Sequence, residues 1–169
     1  MSLERHRAES KSALRFAVIT ISDTRDAASD RGGPLLADRL AAAGHAVTFR
    51  EIVQDEAEAI TDVVRRAVAA PDVDLVVTTG GTGLAPRDVT YPTLCALFES
   101  QIPGFGELFR MLSYREIGSA ALLSRAVGGL LRGKVVLALP GSPKALELAL
   151  TEILLPEAGH LVSQTRPRG

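Results

Sequence analysis

The chain alternates between short continuous apolar runs and longer stretches in which apolar residues recur every three or four positions. Residues 16–21 (FAVITI) form an uninterrupted, β-branched run, the pattern of a strand buried on both faces. Leu35, Leu36, Leu40 and Ala43 then recur at helical spacing, with Pro34 suited to the first turn and Gly44 to the C-terminal cap. Residues 45–53 (HAVTFREIV) alternate only in part, which predicts a second strand nearer a sheet edge. Asp55, with Glu58 three residues on, resembles a capping box, and Ile60, Val63, Val64, Ala67 and Val68 form the stripe of the helix it would open. Residues 73–79 (VDLVVTT) are a buried strand running into Gly80-Gly81-Thr82-Gly83, and residues 135–139 (VVLAL) are a last strand running into Pro140-Gly141-Ser142-Pro143. Residues 90–125 read as two helical pieces separated by a turn at 102–106 (IPGFG). Leu146, Ala149, Leu150 and Ile153 mark a final helix that Pro156 breaks or kinks.

Strands alternating with helices predict right-handed crossovers, and hence an α/β fold: a three-layer αβα sandwich around a mainly parallel sheet. Both glycine loops then sit at carboxyl ends of strands, where such sheets bind ligands. The expected organisation is one domain over residues 15–165, preceded by a polar arm at 1–14. With 169 residues the chain can bury a core without disulfides or metals. Its 46% hydrophobic content with only 4% aromatic residues and no Trp leaves Leu, Val, Ile and Ala to fill that core.

Charge narrows the function classes. With 19 basic and 20 acidic residues the formal net charge is −1, so no general positive field exists to hold a nucleic-acid backbone. Cys95 is the single cysteine, which excludes an internal disulfide and a Cys-based zinc site; it reads as a small apolar residue. His6, His45 and His160 are scattered along the chain. No run approaches the roughly 18 apolar residues that span a bilayer, and the first residues (MSLERHRAESKSALR) are charged where a signal peptide is apolar. The expectation is a cytoplasmic protein without membrane or nucleic-acid partners.

Thr79 and the Gly80-Gly81-Thr82-Gly83 loop offer glycines that permit positive φ, backbone N–H groups that can converge on an anion, and hydroxyls as further donors. A tight turn would need the same glycines. The loop is neither a Walker loop, lacking a following Gly-Lys-Ser/Thr, nor a dinucleotide fingerprint, because Pro86 stands where the third glycine belongs. Asp88 follows closely. It is a candidate to hold Mg²⁺ against a phosphate, or else it or Thr90 caps the helix beginning near Pro92.

Seven segments carry a resemblance in order from about residue 16 to 155: 21–23 (ISD), 53–56 (VQDE), 78–83 (TTGGTG), 87–90 (RDVT), 103–107 (PGFGE), 123–125 (LSR) and 140–145 (PGSPKA). Together they resemble the MoaB/MogA family of molybdenum-cofactor biosynthesis proteins. The resemblance implies an αβα sandwich forming homotrimers, in some members paired into hexamers. It implies a reaction in which the terminal phosphate of molybdopterin attacks the α-phosphate of Mg-ATP and pyrophosphate leaves. A downstream metal-insertion protein would receive the product.

Carried over by position, Gly80, Gly81, Thr82 and Gly83 resemble the site of the molybdopterin phosphate, and Asp88 the critical carboxylate. Asp55 matches a second acidic position, so that both acids are candidate catalytic and metal-binding residues, although the capping box alone would explain Asp55. Ser22, Asp23, Ser124, Pro140, Gly141 and Ser142 resemble positions lining the pterin and nucleotide pocket, and Ser142 is equally suited to cap the last helix. Two departures stand out: Gln54 precedes Asp55 where the family commonly has Pro, and Gly32-Gly33 occupies the place of a Ser-Gly pair. Because both substrates are polyanions and the chain is mildly acidic, attraction must be local, from backbone N–H groups, helix N-termini, Mg²⁺, and Arg87, Arg125 or Lys144. A rival reading is a molybdopterin-binding or carrier protein with little or no transferase activity. A third is a nucleotide hydrolase resembling the competence-damage-inducible domain, set apart by GGTG followed by Arg87-Asp88 here.

Overall fold

The computed structural model of the chain describes residues 13–165. Its six-stranded sheet has the order β2-β1-β3-β6-β5-β4. The strands are β1 (Arg15–Ile21), β2 (Ala46–Val53), β3 (Leu75–Thr79), β4 (Ser100–Gln101), β5 (Val127–Leu131) and β6 (Lys134–Leu139). β2, β1, β3 and β6 run parallel, while β5 is antiparallel to both β6 and β4. The helices are α1 (Gly32–Ala42), α2 (Ala57–Ala69), α3 (Thr90–Leu97), α4 (Pro103–Ile117), α5 (Pro143–Ala149) and α6 (Leu155–Thr165). A 3₁₀ turn covers Gly118–Leu123.

Two separate apolar clusters make the three layers. On one face Phe16, Val18, Leu75 and Val77 pack under Leu36 and Leu40 of α1, Phe105 and Phe109 of α4 and Leu146 of α5. On the other, Ala17, Ile19 and Val76 meet Ile60, Val63, Val64, Ala67 and Val68 of α2 and Leu94 of α3. The alternation along β1 and β3 therefore feeds both faces, as their unbroken apolar runs require. The helical stripe read for α2 is its buried face residue for residue. Each such aliphatic burial contributes about 1.5–3 kcal/mol for the larger side chains. Packing thus fixes α2, whose N-terminus has no side-chain cap.

Local signals account for several ends. Gly44, at φ 86°, closes α1: its N–H donates to Ala41 and that of His45 to Leu40, the paired bonds of a Schellman cap. β2 is the edge strand expected from its partial alternation. Pro156 kinks the last helix: Leu150–Leu154 widens into a π-helical turn before α6 resumes, the adjustment a chain makes where proline brings no N–H.

Four expectations are corrected. Asp55 and Glu58 form no capping box; Glu56 is the N-cap residue of α2 and makes no side-chain cap bond. Neither Asp88 nor Thr90 caps α3, which starts at Thr90 behind Val89. Residues 102–106 are not a turn between helices. Pro103 begins α4, where a fixed φ and a missing N–H cost nothing, and the break falls at 98–102. The β4–β5–β6 antiparallel unit was not anticipated, because Gly128 and Gly129 interrupt the apolar run of β5. Phe98 packs so tightly over Gly129 that a Cβ there would enter its ring.

Residues 1–12 of the expected arm lie outside the described residues. Leu14, its last residue, is core instead: it is 2% exposed, and its N–H donates to Nδ1 of His45 at 3.2 Å. Among the described residues no helix is long and apolar enough to cross a membrane.

Candidate functional site

β1, β3 and β6 end on the same edge of the sheet, and the chain leaves β1 for α1 on one face but reaches β3 from α2 on the other. The crevice at this reversal is where doubly wound sheets bind ligands. A cavity of about 480 Å³ opens there, on the face covered by α1, α4 and α5.

Its floor is the loop after β3. Gly80 and Gly81 have φ of 104° and 64°, a region that only glycine enters at little cost. A Cβ on Gly80 would run into the carbonyl oxygen of Ile21, and one on Gly81 would meet Thr90 Oγ1 and the Asp55 carboxylate. The loop's peptide groups are polarised in one sense. The Gly81 carbonyl accepts from Thr90 N–H at 3.2 Å, and the Thr82 and Gly83 carbonyls both accept from the Arg125 guanidinium. The N–H groups of Gly81, Thr82 and Gly83 find no acceptor among the described residues. Such unpaired donors, placed side by side, are a receptor for anionic oxygen.

The loop after β6 forms an adjoining wall. Thr79 Oγ1 donates to the Pro140 carbonyl at 3.2 Å, tying the two glycine loops together, and Gly141 lies against Gly80. Ser142 caps α5, its Oγ accepting from Ala145 N–H at 3.2 Å, and also lines the cavity. Ser22 lines the opposite side; its Oγ accepts from the N–H groups of Thr24 and Arg25.

The acids separate by depth. Asp88 lines the cavity beside Gly83, and its Oδ2 accepts from Ala85 N–H at 3.1 Å. Asp55 is 5% exposed, lies behind the loop rather than in the cavity, and its Oδ1 accepts from Val89 N–H at 3.1 Å. Burial pushes the Asp55 carboxyl above its ordinary range, and the negative charges of Asp88 and Asp23 add to the effect. Asp23 also stands outside the cavity. Its carboxylate pairs with Arg87 at 2.7 Å and accepts from Asp55 N–H, which hold it below the usual range. Arg87 is further paired with Glu56 at 2.8 Å.

Among the described residues no cluster of three or more His, Cys, Asp or Glu is present. A cation such as Mg²⁺ held here would take Asp88 from the protein and complete its shell with phosphate oxygens and water, because the other carboxylate lining the cavity, Asp30, already accepts from Thr20 Oγ1 and from the Gly32 and Gly33 N–H groups. Asp88 fits that role; buried Asp55 fits that of a loop support.

Of the residues read from sequence, Ser22, Thr79, Gly80, Gly81, Thr82, Gly83, Asp88, Ser124, Pro140, Gly141 and Ser142 line this one cavity. Asp23 and Asp55 do not. Sequence reasoning missed Asp30, which is buried, accepts from Thr20 Oγ1 at 2.9 Å and caps the start of α1 through Gly32 and Gly33 N–H. An Asp two residues before a Gly-Gly-Pro helix start is the signal that would have found it. It also missed Arg25 at the mouth and the α4 wall of Phe109, Ser113 and Ile117.

The fold and cavity define a doubly wound αβα domain with an open cavity at its switch point. The chain belongs to the MoaB/MogA family of molybdenum-cofactor biosynthesis proteins: a family profile described as "Probable molybdopterin binding domain" matches residues 17–160. It is similar to the Molybdenum cofactor biosynthesis protein B of Bacillus cereus, at 48% identity over 162 residues covering 95% of this chain and 96% of the relative. A crystal structure of a Molybdenum cofactor biosynthesis protein B superposes with a TM-score of 0.89 at 48% identity, covering 91% of this chain and 96% of that one. The tungsten cofactor synthesizing protein MoaB from Pyrococcus furiosus superposes with a TM-score of 0.83 at 35% identity, covering 92% and 99%.

Proposed function

We propose that the chain acts in molybdenum-cofactor biosynthesis as a molybdopterin adenylyltransferase, binding molybdopterin in this cavity and joining it to AMP from Mg-ATP. A phosphate oxygen of molybdopterin bonds to the α-phosphorus of ATP while the bond to pyrophosphate breaks. The observation that carries the reading is that Gly81, Thr82 and Gly83, whose N–H groups find no acceptor among the described residues, line one cavity together with Asp88. The donors hold the attacking phosphate. Ser22 and Ser142 supply short, fixed hydroxyls to the rest of the ligand. Asp88 would hold Mg²⁺, which when bound supplies neutralising charge beside the transferring phosphoryl group. Phosphoryl-type transfer draws chiefly on such positioning and charge, with no covalent intermediate on the protein required.

The test is purified protein with molybdopterin, ATP and Mg²⁺, followed by chromatography for the adenylylated pterin and pyrophosphate. Both products in equal amounts are expected. Molybdopterin binding with neither product would establish the carrier reading in its place. The adenylylated pterin would pass to a metal-insertion protein, and the working assembly is proposed to be a homotrimer or a hexamer of paired trimers.

A further inference from the structure

Arg125 occupies a place that neither the cavity lining nor a phosphate contact explains. Its guanidinium donates to three backbone carbonyls: Thr82 at 3.3 Å, Gly83, and Asp88 at 2.8 Å. It lies over the Tyr91 ring at 5.2 Å. It is thus committed on the side of the loop away from the unpaired N–H groups.

We infer that Arg125 is a positioning residue, whose guanidinium binds the loop carbonyls of Thr82, Gly83 and Asp88 and so aims the Gly83 N–H, one of the three donors, and fixes the backbone that carries Asp88, setting affinity for the substrate's phosphate. The inference rests on the reading of this loop as the molybdopterin-phosphate site. A peptide unit has its C=O and N–H on opposite sides, so capturing a carbonyl on one side aims the N–H of the next residue to the other. The captured carbonyls of Thr82 and Gly83 orient the N–H groups of Gly83 and Leu84, and the Gly81 carbonyl, held by Thr90 N–H, orients that of Thr82. The peptide after Asp88 is held from both ends: its carbonyl by Arg125 and its N–H by Asp55 Oδ1. This pins the backbone from which the Asp88 carboxylate projects.

Residue type matters here. A guanidinium offers five donors in a planar fork and can span carbonyls on two chain segments, whereas an ammonium is a compact point donor. The cation also polarises the peptides it binds, which strengthens their N–H groups as donors to an anion. Glycines at 80, 81 and 83 give the loop the freedom to invert, so without the clamp the donors would be paid for out of binding.

Arg125→Lys and Arg125→Gln test this against molybdopterin and its dephosphorylated form, with melting temperature recorded for each protein. Wild type should prefer the phosphorylated ligand. Both variants should lose at least about tenfold in affinity for it while binding the dephosphorylated form as wild type does, and Arg125→Lys should rescue little. Equal loss for both ligands, or none for either, overturns the clamp. Absence of a phosphate preference in wild type would instead overturn the reading of the loop itself. Should neither variant fold, ¹⁵N spectra of the wild-type protein decide: a clamped Arg125 side chain shows slowly exchanging N–H signals with hindered rotation about Cζ–Nη, and a solvent-averaged signal overturns the proposal.

Discussion

Asp88 and Asp55 stand on either side of one loop, and their different depths lead to different expectations. Asp88→Asn keeps an oxygen that can accept from Ala85 N–H and removes only the charge. Adenylylation should fall by about a hundredfold or more, since each 1.4 kcal/mol of lost transition-state stabilisation is roughly tenfold in rate. Molybdopterin affinity and melting temperature should hold, which steady-state kinetics, a binding titration and a thermal melt would check together; wild-type turnover at saturating Mg-ATP would sink the assignment. For Asp55 the test is stability. Its carboxyl titrates above its ordinary value because it is buried, so the folded chain holds that proton more tightly than the unfolded one. The resulting stabilisation is present below about pH 3.9 and is lost as pH rises through the raised value. At pH 7 the buried charge is a net cost, and Asp55→Asn should melt above wild type, with the gap closing as pH falls toward 4. A gap that stays constant across this range would show that burial is not what governs Asp55. Spacing made Ser142 legible as a cap, because its bond is to Ala145, three residues away. The same kind of spacing misled at Asp55, whose partner Val89 is 34 residues distant and invisible to any local pattern.

At the scale of elements, the strands that carry the site were the easiest to read: β1, β3 and β6 are unbroken apolar runs because both of their faces are covered. β5 was lost to its glycines. It joins β6 through Arg132 and Gly133, both at positive φ, a two-residue connection of the kind that antiparallel hairpins favour. The Arg-Gly pair is the available signal, but it stands behind Gly128 and Gly129, which break the apolar run that would mark a strand. The close fit of neighbouring strand ends makes a sharp prediction at Gly80. Alanine there must adopt φ 104° and place its Cβ against the Ile21 carbonyl, which forces the β3 exit away from the end of β1. A loss of about 2–4 kcal/mol is expected by the combined cost of a disfavoured backbone region and a steric shift, measured by denaturant unfolding. Molybdopterin affinity should fall in the same variant, because the loop donors move with the strand end. Unchanged stability would mean that the loop relaxes freely and that its donors are not preset.

At the scale of the whole molecule, the exposed large apolar side chains are unevenly spread. Leu108, Met111, Tyr114 and Ile117 lie along α4, and Leu122 and Leu123 follow in the 3₁₀ turn; Leu122 is 71% exposed and Tyr114 63%. Contiguous exposed patches of this kind mark interaction surfaces in otherwise well-packed domains. The helical piece expected after residues 102–106 is α4, which begins already at Pro103 and presents four of these residues along one continuous helix. Ile117 and Leu123 also line the cavity, so whatever covers this face borders that cavity. A second copy of the chain fits the homotrimer that the family resemblance implies. Multi-angle light scattering at micromolar concentration should give about three times the 17.9 kDa chain mass, or six times if trimers pair. Met111→Glu places a charge in the middle of the exposed stripe, 51% exposed in the single chain, where it costs little in a monomer but must be desolvated in an assembly. The variant should therefore run as a monomer with a nearly unchanged circular dichroism spectrum and with weakened molybdopterin binding. A wild-type monomer, or a Met111→Glu protein of unchanged mass, would remove α4 as the assembly face and leave its apolar stripe to another partner.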